Sequence, residues 1–290
     1  MQVQQASRTA VLVCQGRAAA HERTAAGEFA DPTAMTLLRK DERVPVEAVR
    51  AGKAPQRWSD RVEFEMVRAC AEVVVPRTIA IDEAIRERPA SQLLILGAGL
   101  DGRAWRIAEL AAVDVFEVDQ PASQEDKRDR VGDLAPLAKS VRFVPVDFAR
   151  DQLGSALESA GHRASAATTW IWEGVVPYLT RAQVDATLAV VAARSAPGSR
   201  LVVNYQSPEV SAALGRLVAR AMTAMARRPS VWANEPRRST WTPATMRSLL
   251  SGHGFAVDRD DDLLALAERS GVSVRQRRSL RNGHVAVADR

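Results

Sequence analysis

Cysteine is scarce in this chain of 290 residues: Cys14 and Cys70 are the only two, and neither sits in a Cys-x-x-Cys pair. That excludes a disulfide framework, and no zinc-ligand or other metal pattern is present. Both cysteines read as small core residues. Long apolar runs are missing too. No window approaches the roughly 18 uncharged apolar residues of a membrane-spanning helix, and the N-terminus lacks the short apolar core of a signal peptide. The expected location is therefore cytoplasmic, with no membrane partner. Aromatic residues make up only 5% of the chain, and no aromatic RNA platform or low-complexity tail accompanies its basic residues.

Those basic residues give a formal net charge of +5, with the excess in Arg227-Arg228, Arg237-Arg238 and the cluster Arg275, Arg277, Arg278 and Arg281. Without a nucleic-acid motif beside them they read as solvated faces, so no nucleic-acid partner is expected. An apolar content of 46% and a charged content of 26% are those of an ordinary globular protein. The length suits one substantial core with additions rather than two equal domains.

Helical patterns fill the first third. Ser7 to Glu28 is alanine-rich and helical, ending before Phe29-Ala-Asp-Pro32 because a residue preceding proline leaves the α region. Arg39 to Pro55 is charged and proline-punctuated, which predicts a loop or mobile lid. Asp60-x-x-Glu63 predicts a helix start, and a separate helix is expected over Thr78 to Arg88. From residue 92 onward strands alternate with helices, the pattern of an open parallel sheet. The expected strands are Leu93–Leu96, Val113–Val118, Val141–Val146, Thr168–Trp172, Leu201–Tyr205, Phe255–Arg259 and His284–Ala288. Thr180-x-x-Gln183 and Thr242-Pro243 predict helix starts. Ser207 to Trp241 breaks the alternation with an amphipathic helix over about Val210–Ala226 and a loop carrying Trp232. The predicted organisation is a helical cap over 1–90 and an α/β domain over 91–290, with an insertion at about 207–241.

The first strand runs abruptly into Gly97-x-Gly99-x-x-Gly102, with Asp119 at the end of the next strand. A glycine turn lets backbone N–H groups and a helix N-terminus approach a ligand closely. This spacing suits a nicotinamide dinucleotide and S-adenosylmethionine equally. Polar residues recur at the carboxyl ends of the strands: Asp119 for ribose hydroxyls, Asp147 with Phe148 for adenine, Glu173 for an ammonium group, then Asn204 and Tyr205. A nicotinamide enzyme leaves Arg77, Asp147 and Glu173 without a common task. None of His21, His162, His253 or His284 falls at a strand end facing the cofactor.

Arg77-Thr78, Leu96-Gly-Ala-Gly-Leu-Asp-Gly-Arg103, Phe116-Glu-Val-Asp-Gln-Pro121 and Trp170-Ile-Trp-Glu-Gly-Val175 with Tyr178-Leu179 resemble the leucine carboxyl methyltransferase family, including its bacterial small-molecule branch. Phe29-Ala-Asp-Pro32, Asn234-Glu-Pro236 and Gly254-Phe255 extend the resemblance along nearly the whole chain, although many bacterial relatives carry glycine where Asn234 stands. The resemblance implies a class I, Rossmann-like methyltransferase fold with a seven-stranded, mostly parallel sheet, and S-adenosyl-L-methionine as cofactor. It implies that Arg77 holds the cofactor carboxylate and Arg17 supplies a second basic contact. It further assigns Gly97, Ala98 and Gly99 to the turn, Asp119 and Gln120 to the ribose, Asp147 and Phe148 to the adenine, and Glu173 and Gly174 to the amino-acid end.

The expected reaction is O-methylation of a small-molecule carboxylate in secondary metabolism, which needs no general base because the acceptor is already ionised. A hydroxyl, nitrogen or carbon acceptor, an NAD(P)-dependent oxidoreductase and a non-catalytic cofactor-binding module are the alternatives. Candidate acceptor contacts are Tyr178, Asn204, Tyr205, Arg237, Arg238 and Trp241, an arginine being able to clamp a carboxylate through two parallel hydrogen bonds. The expected state is a monomer or homodimer.

Overall fold

The structure is a computed structural model that describes residues 7–148, 151–208, 238–275 and 277–290. The predicted helix over Val210–Ala226, Trp232, Asn234-Glu-Pro236 and Arg237 lie outside them.

Seven strands form one sheet: β1 (Gln92–Leu96), β2 (Asp114–Asp119), β3 (Ser140–Pro145), β4 (Thr168–Trp172), β5 (Arg200–Gln206), β6 (Ala256–Asp262) and β7 (Gly283–Asp289). Their order across the sheet is β3-β2-β1-β4-β5-β7-β6. β7 runs antiparallel to both of its neighbours, β5 and β6, and the other four pairings are parallel. β1 and β4 are buried at every position, as a central parallel strand covered on both faces requires. The chain leaves β1 toward β2 and β3, then returns to β4 and goes the other way. The crevice between the β1 and β4 ends is therefore the topological switch point, where ligands bind in open α/β sheets.

Alternate side chains along the strands feed two core layers. Leu93 and Ile95 pack with Val75, Ile79, Ile81 and Ile85 on one face, while Leu94, Leu96, Trp170 and Trp172 pack with Val184, Leu188 and Leu250 on the other. A third apolar cluster joins Leu12, Cys14, Leu37, Val46 and Val67 to Leu100 of the glycine turn. Cys14 is thus the core residue its rarity suggested.

The N-terminal helices depart from the sequence expectation in three places. The first helix, α1 (Arg8–Ala20), is shorter than the alanine content implied, and Ser7 caps it through Thr9 N–H at 3.2 Å. The stretch expected as a loop folds as α2 (Lys40–Ala51) despite Pro45 inside it. The Arg39 N–H donates to the Glu42 carboxylate at 2.8 Å, Asp41 and Glu42 lie in the positive first turn, and Gly52 closes the helix in the left-handed region. The two helices expected around Asp60 and Thr78 are one, α3 (Trp58–Glu87), with Pro76 in its interior. Pro76 removes one backbone donor, but Val74, Val75, Ile79 and Ile81 around it are buried, and that packing outweighs the lost bond.

Four helices follow within the alternating region: α4 (Arg103–Arg106), α5 (Pro121–Val131), α6 (Leu153–Ser159) and α7 (Arg181–Ala193). The helix after the glycine turn is short, α4 giving way after Ile107 to a 3-10 turn, Ala108–Ala112. After β5 come α8 (Pro243–Gly252), α9 (Leu263–Arg269) and α10 (Arg277–Leu280). Thr180 makes the full capping box with Gln183, and Thr242 caps α8 through Thr245 N–H, both as their sequences predict. Among the described residues no helix is long and apolar enough to cross a membrane.

Candidate active site

The turn after β1 is built for close approach. Gly97 has φ +69°, and a Cβ placed there would lie 2.2 Å from Val175 Cγ2, in the loop after β4. Gly97 and Ala98 both donate their N–H to the carbonyl of Val118 at 2.8 and 3.0 Å. A Cβ on Gly102 would lie 2.1 Å from Thr33 Oγ1, and one on Gly99 would lie 3.0 Å from Ala10 Cβ. The glycines therefore admit the N-terminal segment on one side and the β4 loop on the other.

Asp119 closes β2 beside this turn. Its two carboxylate oxygens accept the N–H groups of Gly99 at 2.6 Å and Gln120 at 2.7 Å. Burial nonetheless holds the carboxyl above its ordinary range, the two backbone donors offsetting only part of the desolvation. Gln120 itself is exposed and leads into α5. Beneath the turn, Lys127 reaches from α5 to the Asp101 carbonyl at 2.7 Å and to Glu117 at 2.5 Å, fixing the loop from below.

Glu173 lies one residue past β4 and is the centre of the electrostatics. Its Oε1 accepts from Arg77 Nε at 2.7 Å and its Oε2 from Arg103 Nη1 at 2.9 Å. Burial by itself pushes this carboxyl up, but Arg77 and Arg103 more than offset it, and it stays ionised far below the usual carboxylate range. Gly174, at φ +71°, donates its N–H to Asn204 Oδ1 at 3.3 Å, and Asn204 Nδ2 donates to the His284 carbonyl at 2.9 Å. Asn204 thus supports the Glu173 turn from β5 rather than pointing to an acceptor.

Arg103 continues the charge pattern inward. Its Nε donates to Asp82 at 2.8 Å, and its Nη1 also reaches Asp101. Asp82 pairs with Arg106 at 2.7 Å, Arg106 with Asp31 at 3.7 Å, and Asp31 with Arg17 at 2.9 Å. Arg17, Asp31, Arg106, Asp82, Arg103, Glu173 and Arg77 thus alternate in sign from α1 through the end of β4 to α3, with Asp101 branching from Arg103. Burial raises the Asp82 carboxyl but Arg106 and Arg103 pull it net downward. Arg17, expected at the cofactor, is buried and committed to Asp31 and, through Nη2, to the Leu100 carbonyl at 2.5 Å.

The remaining predicted residues divide. Asp147 is half-buried after β3, its N–H donating to Asp151 at 2.8 Å, and Phe148 packs against the core beside it. Tyr178 is half-buried in the 3-10 turn Val176–Tyr178 beyond Glu173. Arg238 is exposed, and its N–H donates to the Pro177 carbonyl at 2.7 Å, which brings its backbone to the same loop. Tyr205 and Trp241 are not brought to the crevice. Tyr205 is fully buried, stacks on His284 and donates its hydroxyl to Asp260 at 2.6 Å. Trp241 is buried, donates its indole N–H to Ser239 at 3.2 Å and lies under the Arg181 guanidinium at 4.4 Å.

Sequence reasoning gave no role to Arg103, Asp82, Asp101 or Arg106. One signal was available: Asp82 stands in Ile79-Ala-Ile-Asp-Glu-Ala-Ile85, where helical spacing puts a carboxylate among core positions and demands a partner.

The strand order, the glycine turn and the acidic residue ending β2 define a class I, Rossmann-like methyltransferase fold. Two solved structures share it across almost their full length. A DUF574 family protein from Streptomyces avermitilis superposes with a TM-score of 0.60 at 12% identity, covering 98% of both chains. A protein described as a methyltransferase, provisionally, from Thermobifida fusca gives a TM-score of 0.56 at 15% identity, covering 100% of this chain and 96% of that one. In sequence, the profile of the leucine carboxyl methyltransferase family matches residues 10–192. A Streptomyces coelicolor protein provisionally named an S-adenosyl-L-methionine-dependent methyltransferase is 32% identical over 250 residues, 85% of this chain and 82% of its own. A provisionally named methyltransferase of the same kind from Mycolicibacterium gilvum is 35% identical over 232 residues, 72% of this chain and 75% of its own.

The chain belongs to the leucine carboxyl methyltransferase family. It is a methyltransferase whose methyl donor is S-adenosyl-L-methionine, which decides between the two cofactors that the glycine spacing left open.

The crevice residues fit that cofactor. Arg77 gives only its Nε to Glu173, and no other described residue takes its remaining N–H groups, which suits a carboxylate clamp. Glu173 is an ionised carboxylate beside it, suited to an ammonium group, and Asp119 retains accepting capacity for ribose hydroxyls. Asp119→Ala is expected to weaken S-adenosylhomocysteine binding about tenfold in a calorimetric titration, the loss of a hydrogen-bonded carboxylate. Unchanged affinity would remove Asp119 from the site.

Proposed function

We propose that the protein transfers the methyl group of S-adenosyl-L-methionine to a carboxylate oxygen of a small molecule, forming a methyl ester. The reading rests on the state of Glu173: two arginines hold it ionised well below the usual carboxylate range, so it is a poor proton acceptor at neutral pH. Tyr205 and His253 are no better suited. Burial and the bond to Asp260 push the Tyr205 phenol far up and keep it protonated, and His253 is tied to Asp185 at 3.0 Å on the α7 and α8 surface. An acceptor that arrives already ionised needs none of them.

When bound, the cofactor supplies an electrophilic methyl carried on a sulfonium. The chain's own contribution is positioning and exclusion of water. Arg77 would hold the cofactor carboxylate, Glu173 its ammonium, Gly97 to Gly99 would floor the methionine portion, Asp119 with Gln120 the ribose, and Asp147 with Phe148 the adenine. Tyr178 and Arg238, which meet at the loop after β4, are the described residues proposed to face the acceptor. Residues 1–90 would form a helical cap on the cofactor domain of 91–290. We assign the reaction to cytoplasmic secondary metabolism.

The test is incubation with methyl-labelled cofactor and a panel of small carboxylic acids. An ester product loses its label in mild alkali. A product that keeps its label in alkali would replace the carboxylate by a hydroxyl, nitrogen or carbon acceptor.

A further inference from the structure

Glu173 has two arginine partners, Arg77 and Arg103, and the second is the more deeply buried of the two. Arg103 is 1% exposed, enters from α4 behind the glycine turn and shares one Nη1 between Glu173 and Asp101 while its Nε holds Asp82. Its partners come from α3, the turn and the β4 loop, so a single planar group ties three separate segments to one orientation. Asp82, the α3 member, lies on the same helix as Arg77. The guanidinium therefore sets the spacing between the two residues that bracket the cofactor's amino-acid end.

We propose that Arg103 is a positioning residue for cofactor binding, which fixes the Glu173 carboxylate against Arg77 and, through Asp82, fixes α3 against the β4 loop. This rests on the cofactor reading above. Arg103, at 1% exposed, acts in this proposal through Glu173 rather than by contact with the cofactor. Its effect is transmitted by holding Glu173 both in place and in its ionised form, since burial alone favours the neutral carboxyl.

The test uses the full chain, with S-adenosylhomocysteine titrated by calorimetry across pH 5 to 8, those limits being about one to two units either side of an ordinary histidine. The wild type is expected to bind with an affinity that does not depend on Glu173 titration, because that group stays ionised throughout. Arg103→Met keeps the side-chain volume and removes the charge. It is expected to weaken binding about thirtyfold at the alkaline end, from loss of a buried charge-assisted pair. It should weaken it further as pH falls, because Glu173 with one arginine gone titrates at higher pH.

Adding Glu173→Gln to Arg103→Met is expected to abolish the added pH dependence, and Arg103→Lys to restore part of the affinity. A melting curve for each variant reports folding independently. If wild type binds and Arg103→Met shows the same pH profile as wild type, whatever its affinity, the positioning role is wrong. If folded wild type does not bind S-adenosylhomocysteine, the cofactor reading fails instead. A folding defect in Arg103→Met moves the test to Arg103→Lys, where a wild-type pH profile and wild-type affinity together would equally overturn the proposal.

Discussion

Gly97→Ala is expected to eliminate measurable S-adenosylhomocysteine binding and to lower the melting temperature in the same protein. Two independent costs add. The backbone stands at φ +69°, which a Cβ-bearing residue adopts only at a penalty, and the new methyl would sit 2.2 Å from Val175 Cγ2. The left-handed conformation costs roughly 1–2 kcal/mol and overpacking roughly 1–3 kcal/mol, a combined loss of about 2–5 kcal/mol. The turn has no slack in which to absorb the shift, because Gly97 and Ala98 both hold the Val118 carbonyl. A displaced loop moves Asp119 away from Gly99 and disturbs the ribose contact proposed for it. The two costs separate in the double variant Gly97→Ala with Val175→Ala, which removes the overlap but keeps the strained φ. Part of the melting temperature should return. A Gly97→Ala protein that melts and binds like wild type would refute the close approach of the two loops.

Glu173→Ala is expected to be more damaging to stability than any other single truncation in the crevice. It leaves Arg77 and Arg103 facing each other in a nearly dry environment, with side chains 9% and 1% exposed. Removing one member of a buried ion pair costs about 3–5 kcal/mol, chiefly by stranding its partner. Arg77 is stranded here, while Arg103 keeps Asp82 and Asp101. Denaturant melts should show the midpoint moving to much lower concentration with little change in slope. The pH dependence has a definite sign. Glu173 has a folded pKa depressed below its unfolded value of 4.5, so its contribution is fully present above that value. It is lost as pH falls below it toward the folded pKa. Wild type should therefore lose stability on acidification below about pH 4.5, and Glu173→Ala should lack that component. If both proteins show the same acid limb, the two arginines do not hold the carboxylate as described.

The sheet and the residues that stand at its strand ends were legible in the sequence because both depend on local signals. All seven strands lie where expected, with bounds shifted by no more than three residues, although β6 extends into the acidic run Asp260–Asp262. Gly97, Asp119 and Glu173 stand at strand ends that alternation alone identified. Helix continuity was less legible. Pro76 suggested a boundary that the packing of Val74, Val75, Ile79 and Ile81 overrode, and the charged, proline-bearing stretch after Arg39 became helical once Val46 found the pocket formed with Leu12, Leu37 and Val67. The charge pattern was least legible of all. Arg77 meets Glu173 across 96 residues of chain and Arg103 meets it across 70, so no window of sequence contains both partners. Tyr205 was no more legible: it stands at the end of β5, but its hydroxyl is taken by Asp260, 55 residues further along the chain.

The contact between the N-terminal segment and the glycine turn also bears on the order in which the molecule assembles. Arg17 reaches the Leu100 carbonyl across 83 residues, while Ala10 and Thr33 press on Gly99 and Gly102. Residues 8–33 leave the ribosome well before the turn they cover has been synthesised. They must wait, helical or not, until β1 and the turn exist to receive them. Closing so long a loop is slow relative to forming local helices. The contacts of residues 8–33 with the glycine turn are therefore expected to form after the sheet, so the proposed cofactor crevice would be completed late in folding.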